Sequence, residues 1–223
     1  MCGRFSLSTS PQVIVEKFAI EELPIFEPQY NIAPTQNIAI IFNDKGTLLR
    51  KCQKLHWGLI PSWASSPKIG TKLINARSET VAEKPSFRSA FKHRRCLILA
   101  DGFYEWKHEK GQKQPFYFSL NYREPFLMAG LWERWKSPGG EEIKSCTILT
   151  TEANEILKPV HHRMPIILKP QDYDLWLDQE TLPQRLQELL CPYDSAKMTA
   201  YPVSTMVNNP RNDSPECIAL LKE

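Results

Sequence analysis

At 223 residues with a net charge of only +3, the chain has the size of one domain with a well-buried core. Hydrophobic residues make up 42% and charged residues 24%, ordinary globular usage that excludes disordered, fibrous and polyelectrolyte classes and leaves any polyanion to a local cleft. With no apolar run of about 18 residues and no charged segment leading into an apolar one, neither a membrane span nor secretion is expected.

In chain order, Ser10-Pro11 predicts a helix start, with Ser10 as N-cap, Pro11 in the first turn and Val13, Ile14 and Phe18 as its apolar face. Strands are predicted at Ile38 to Phe42, Leu48 to Trp57, Cys96 to Ala100, Phe116 to Leu120, Phe126 to Leu131 and Cys146 to Thr151, mostly bounded by Asp, Asn, Gly or Pro. Helical patterns follow only at Glu152 to Leu157, Asp172 to Leu177 and Leu182 to Leu190, so the strands do not alternate with crossover helices as a parallel sheet requires. The expectation is an α+β fold, one domain over residues 1–223, with a mainly antiparallel, barrel-like sheet and flanking helices.

The six cysteines stand at 2, 52, 96, 146, 191 and 217, with no pair at metal-ligand spacing and no dense framework. Free thiols, no metal, no cofactor and a cytoplasmic location are therefore expected. Lys92-His93-Arg94-Arg95 is the most basic run, a pattern that most often marks a solvated face.

The chain opens Met1-Cys2-Gly3-Arg4-Phe5, and a second residue as small as Cys permits removal of the initiator Met. Cys2 would then carry a free α-amine and a thiol on adjacent carbons. The α-amine, with a pKa of about 7.7–8.0 against about 10.4 for lysine, is neutral and reactive in a far larger fraction at neutral pH. An imine formed by this amine can be attacked by the thiol of the same residue, closing a five-membered thiazolidine. The ring closure is intramolecular, where effective molarities reach about 10⁵ M or more. The competing reading is a small residue at a frayed terminus.

Further motifs follow in order: Asn31-Ile32-Ala33-Pro34, Trp57-Gly58-Leu59-Ile60-Pro61-Ser62-Trp63, Asn75-Ala76-Arg77-Ser78-Glu79-Thr80, Asp101-Gly102-Phe103-Tyr104-Glu105-Trp106, His161-His162-Arg163-Met164-Pro165, and Pro202-Val203-Ser204 through Val207-Asn208. Together with the opening pentapeptide, this series resembles the SOS-response-associated peptidase family, the abasic-site crosslinking proteins, over essentially the whole chain. The resemblance implies a covalent crosslink to abasic sites in single-stranded DNA through Cys2 after Met1 removal, with lyase-type chemistry and a peptidase activity directed at its own Met1. It implies Cys2, Asn75, Glu105 and His161 as the active site.

The residue types suit those roles. Phe103 and Glu105 alternate onto one side of an extended segment, where aromatic neighbours would raise the carboxyl pKa and fit it to move a proton to and from the amine. His161 can protonate the sugar oxygen as the deoxyribose opens, and Asn75 can hold the N-terminal residue or the sugar, although an Asx turn is the plain alternative. Arg77 and Arg163, with Arg4 beside them, are expected to grip phosphates through guanidinium forks. Trp63 and Pro34 are expected to meet flanking bases, and Thr150 to touch the DNA backbone. Some relatives have a second aromatic after the tryptophan, where this chain has Ala64. Two rivals remain: an N-terminal-nucleophile glutamine amidotransferase, which would also begin Met-Cys-Gly, and a single-strand binder without covalent chemistry.

Overall fold

The computed structural model describes residues 2–24, 27–43, 50–109 and 111–221. In chain order the elements are β1 (Phe5–Leu7), α1 (Pro11–Phe18), β2 (Ile20–Glu22), β3 (Gln29–Ile32), β4 (Asn37–Asn43), β5 (Arg50–Trp57), β6 (Asn75–Arg77), α2 (Arg88–His93), β7 (Arg95–Ala100), β8 (Gly102–Glu109), β9 (Gln112–Leu120), β10 (Phe126–Lys136), β11 (Glu142–Glu152), β12 (Arg163–Pro165), α3 (Tyr173–Leu177), α4 (Pro183–Glu188) and β13 (Met198–Pro202).

Strands β5, β4, β7, β10 and β11 pair antiparallel in that order, and β11 returns to β5 in parallel through Ser145 opposite His56 and Cys146 opposite Trp57. The circuit is a closed five-stranded barrel, which leaves these strands no unpaired edge against one another. Trp57, Ile98, Leu99, Leu131 and Ile148 are fully buried in the main core. The second sheet, ordered β13-β9-β8-β1-β3, carries the N-terminal strand between β8 and β3. The fold is α+β with mainly antiparallel pairing, as the alternating apolar segments imply.

The predicted strands all form, several of them longer than their apolar runs. Strand β10 continues past Leu131 to Lys136, because Glu133, Arg134 and Lys136 hide an extended segment from a hydrophobic criterion. The strand expected at Leu48 to Trp57 is described from Arg50, and residues 48 and 49 lie outside the described residues. The predicted helix at Glu152 to Leu157 does not form. Glu152 ends β11, Asn154 accepts the N–H groups of Leu157 and Lys158, and the segment stays a set of turns; Pro159 disfavours helical geometry at Lys158 and stops propagation. Likewise α4 covers only part of the range expected at Leu182 to Leu190. Helix α1 begins at Pro11 after Ser10, but the serine side chain makes no capping bond.

The N-terminal strand is held at the turn between β7 and β8. The Asp101 carboxylate accepts the Ser6 hydroxyl at 2.6 Å, the Ser8 N–H and hydroxyl at 2.5 and 2.9 Å, and the Thr9 N–H and hydroxyl at 2.8 and 3.0 Å. Next to it Gly102 has no side chain because the Tyr117 hydroxyl lies 2.0 Å from where a Cβ would stand. That close approach lets the Tyr117 hydroxyl meet the Ser6 hydroxyl at 2.8 Å.

Asp101→Asn replaces one acceptor with a donor facing two backbone N–H groups. Each buried donor left unmet costs about 1–3 kcal/mol, so urea denaturation is expected to show a loss of at least about 2 kcal/mol. A loss below about 1 kcal/mol would mean that this carboxylate does not secure the N-terminal strand.

Candidate active site

Strand register delivers Cys2 to its neighbours. In the antiparallel pair of β1 and β8, Phe5 lies opposite Phe103 and Ser6 opposite Gly102, so continuing the register sets Gly3 level with Glu105. On the other side β6 runs beside β11 with Asn75 opposite Ile148 and Arg77 opposite Thr150. Strand β12 flanks the same end of β11, with Arg163 opposite Glu152. One end of β11 thus gathers Asn75, Arg77 and Arg163, and β1 brings Cys2 to them.

Asn75 Nδ2 donates to the Cys2 carbonyl at 2.8 Å. Its Oδ1 is buried and accepts from no described group, an acceptor beside Cys2. The Cys2 side chain is completely buried. Burial, with the nearby Glu105 carboxylate adding to it, pushes the thiol up to about 12. Glu105 is itself buried, and desolvation raises its carboxyl above the usual range. The Glu105 Oε1 lies 3.9 Å from His161 Nδ1.

His161 is oriented by the main chain of its own motif. His161 Nδ1 lies 3.0 Å from the Arg163 N–H and 3.1 Å from the Arg163 carbonyl oxygen, so the main chain offers this nitrogen both a donor and an acceptor. Burial holds this imidazole below its ordinary range, so the neutral ring predominates at neutral pH. His162 stacks on it with ring centroids 4.4 Å apart. Glu105 and His161 share a cavity of about 460 Å³ with Trp106, His108, Lys113 and Asn208. Lys113 and His108 face one another across the β8–β9 hairpin and carry the site beyond the sequence motifs; only pairing of the two strands brings them to it. Trp106 is fixed there by its indole N–H, which donates to Asn208 Oδ1 at 2.7 Å.

The expected DNA contacts divide into exposed and internal groups. Trp63 is 60% exposed on a loop whose approach to the next one depends on Gly58 and Gly70, where a Cβ on Gly58 would stand 2.7 Å from the Gly70 carbonyl oxygen. Arg77 is exposed, and Pro34 is half-buried. Arg4, by contrast, donates through Nη1 to Asn31 Oδ1 and to the Val207 carbonyl, both at 2.7 Å, tying the N-terminal segment to the 207–212 loop. Arg163 faces Glu79 with both Nη atoms, at 2.5 and 3.0 Å, and also donates to the Thr150 carbonyl at 2.6 Å. Its guanidinium holds the Glu79 carboxyl below the usual range. Thr150 is fully buried, with its hydroxyl 3.3 Å from Arg163 Nη2, so contact of its side chain with DNA is corrected to support of Arg163. In the basic run, Arg95 is buried and donates to four carbonyls, those of Phe91, Lys92, Trp176 and Asp178, and is not part of a solvated face.

The sequence profile described as SOS response associated peptidase (SRAP) matches residues 1–210 of this chain. The chain is 48% identical over 223 residues to the abasic site processing protein YoqW of Bacillus subtilis strain 168, covering 98% of this chain and 99% of that one. It is 35% identical over 226 residues to the abasic site processing protein HMCES of Xenopus tropicalis, covering 88% of this chain and 67% of that one. A crystal structure of a protein from Bacteroides thetaiotaomicron is similar with a TM-score of 0.89 at 28% identity, covering 99% of this chain and all of that one.

Glu105 generates a pH-linked expectation. Its folded-state pKa is raised by burial, so the folded protein holds this proton more tightly than the unfolded chain. The stabilising difference is present below the unfolded value of about 4.3 and is lost as pH rises through the folded value. Glu105→Gln removes the ionisation, and is expected to raise the melting temperature at about pH 8 with the gain shrinking toward about pH 4. A variant equally or less stable at the higher pH would show that neighbouring groups compensate the carboxylate in full.

Proposed function

The chain belongs to the SOS response associated peptidase family, whose relatives YoqW and HMCES are named abasic site processing proteins, and on that premise we propose that it handles abasic DNA by covalent capture at Cys2. The captured site is an abasic deoxyribose in single-stranded DNA, and the attacking groups are the α-amine and thiol of Cys2 after Met1 is removed. Met1 lies outside the described residues. The observation that carries this reading is the gathering of Cys2, Asn75, Glu105 and His161 at one end of β11.

The steps follow from the protonation of these groups. With its thiol pushed up to about 12, Cys2 is no thiolate at neutral pH, so the amine attacks first. The amine nitrogen bonds to the sugar aldehyde carbon and passes one proton to the former carbonyl oxygen, giving a carbinolamine; the nitrogen then loses its second proton while the hydroxyl gains one and leaves as water, which gives the imine. Glu105, whose carboxyl is raised by burial, takes that proton and returns it as the hydroxyl departs. The thiol sulfur then bonds to the imine carbon while its proton passes to the imine nitrogen, and the thiazolidine is complete. His161 assists opening of the closed sugar by donating a ring N–H to its ring oxygen. Asn75 holds the Cys2 carbonyl. The peptidase activity of the family name is read here as loss of Met1.

On the DNA side, Trp63 and Pro34 offer apolar surface to flanking bases, and Arg77 is the phosphate contact open to solvent. Arg163 can bind a phosphate only by exchanging it for Glu79.

Wild-type protein mixed with abasic single-stranded DNA is expected to give an adduct that survives denaturing electrophoresis without borohydride, and Cys2→Ala to leave at most an imine that borohydride traps. A reductant-independent adduct from Cys2→Ala would assign the capture to another nucleophile, and no adduct from wild type would leave a non-covalent binder.

Glu79→Gln is expected to tighten binding to intact single-stranded DNA and to steepen its dependence on log salt by about 0.7, one phosphate's worth, as Arg163 becomes free. Weaker binding with lower stability would mark the Glu79–Arg163 pair as structural support alone.

A further inference from the structure

The barrel has a second open end, away from Cys2. There the last residues of β4, the first of β5, β7 and β11 and the second half of β10 surround a cavity of about 840 Å³. Lys144 in its wall and Thr150 beside Arg163 stand on the same strand, so the two sites are separated by about 20 Å along β11. Barrel mouths are a preferred place for ligand pockets, and the volume is in the range of such sites.

The composition of the wall is polarised. Five Lys and Arg side chains line the cavity against one carboxylate, Glu133, an excess of four positive charges in a chain whose net charge is +3. Glu133 is already engaged: Oε2 accepts from Arg94 Nη2 at 2.7 Å and Oε1 from the Arg134 N–H at 2.9 Å. Arg134 and Lys144 lie directly opposite one another across β10 and β11. Like charges so placed destabilise a sheet, and Glu142, which meets Arg134 at 3.4 Å, is shared with Lys136 at 3.9 Å. Deeper in the cavity the rings of Phe42 and Trp132 lie 6.1 Å apart and tilted by 35°, with Leu55 beside them. Arg94 Nε and Asn43 Oδ1, a donor and an acceptor on residues of the same wall, are buried with no partner among the described residues.

We propose that this mouth is a nucleotide-binding site, in which Arg134 and Lys144 take the phosphate and Phe42 and Trp132 take the base. A cationic rim over an aromatic floor suits a ligand that joins a flat apolar ring to an anion, and the orphaned donor and acceptor suit the polar edge of a base. A free nucleoside monophosphate and a nucleotide in a DNA strand away from the abasic sugar share this chemistry. The inference does not rest on capture at Cys2. Ser62 lines the same cavity and precedes the exposed Trp63.

The test titrates the full chain with deoxyadenosine monophosphate, inorganic phosphate and a short intact single strand, following the Lys144 amide and the Trp132 indole N–H by nuclear magnetic resonance. The nucleotide is expected to move both signals and to bind at least about tenfold more tightly than phosphate, the difference coming from the base. Combined Arg134→Glu and Lys144→Glu, both at exposed positions, is expected to weaken it by about tenfold or more. If only the strand moves these signals, and the double variant flattens its salt dependence, the site is supported with DNA as the source. Silence at Lys144 and Trp132 with all three ligands, or phosphate binding as tightly as the nucleotide, overturns the proposal. Adduct formation at Cys2 is scored separately on the same samples, so failure of capture and failure of this site are distinct results.

Discussion

A single carboxylate, Asp101, fixes where the chain begins in space. It collects donors from Ser6, Ser8 and Thr9 at the point where β7 leaves the barrel and β8 enters the second sheet. The bonds hold β1 in register against β8, and that register sets the distance between Cys2 and Glu105. A terminus is ordinarily the least ordered part of a domain. Here Cys2 is held between Asn75 and the contact of its own thiol with the Arg4 carbonyl at 3.9 Å, so a residue that would fray elsewhere is fixed in place.

Burial that orders the terminus also sets its chemistry. Desolvation is the leading cause of the raised Cys2 thiol, the raised Glu105 carboxyl and the lowered His161 imidazole. All three shifts favour the uncharged form. In this dry cluster the Glu105 carboxyl and the His161 imidazole shift toward one another in proton affinity while the Cys2 thiol moves away from both, whereas charged side chains such as the exposed Arg77 lie outside it. The division also explains the internal arginines. Arg163 sits between the two regions, its main chain orienting His161 and its guanidinium bound to Glu79 at the surface.

Much of the barrel was legible because its strands are apolar and bounded by turn residues, β7 being buried along its whole length. The polar half of β10 and the short strands β6 and β12 were not, since their pairing partners lie far away in sequence. Motifs drew attention to Cys2, Asn75, Glu105 and His161, whose mutual arrangement depends on β1, β6 and the end of β11. Arginines were the least legible. A guanidinium is written the same way whether it meets a phosphate, a carboxylate or a carbonyl, and Arg4, Arg95 and Arg163 all meet partners inside the protein. Thr150 misled for a related reason: a strand-end threonine looks superficial until β6 and β12 cover both of its sides.

Strand β11 is the member that the two ends of the molecule share. It pairs with β10 along its first half, closes the barrel against β5 near its middle, and carries β6 and β12 at its far end. A barrel strand hydrogen-bonded on both sides cannot slide by one residue without turning every side chain to the opposite face. Register slip is therefore closed as a route by which occupancy at one mouth could reach the other. Coupling between the two ends, where it exists, must run through charge or through a ligand long enough to touch both. The loop from Gly58 to Gly70, held by the contact of those two glycines, places Ser62 at the second mouth and exposes Trp63 beside it.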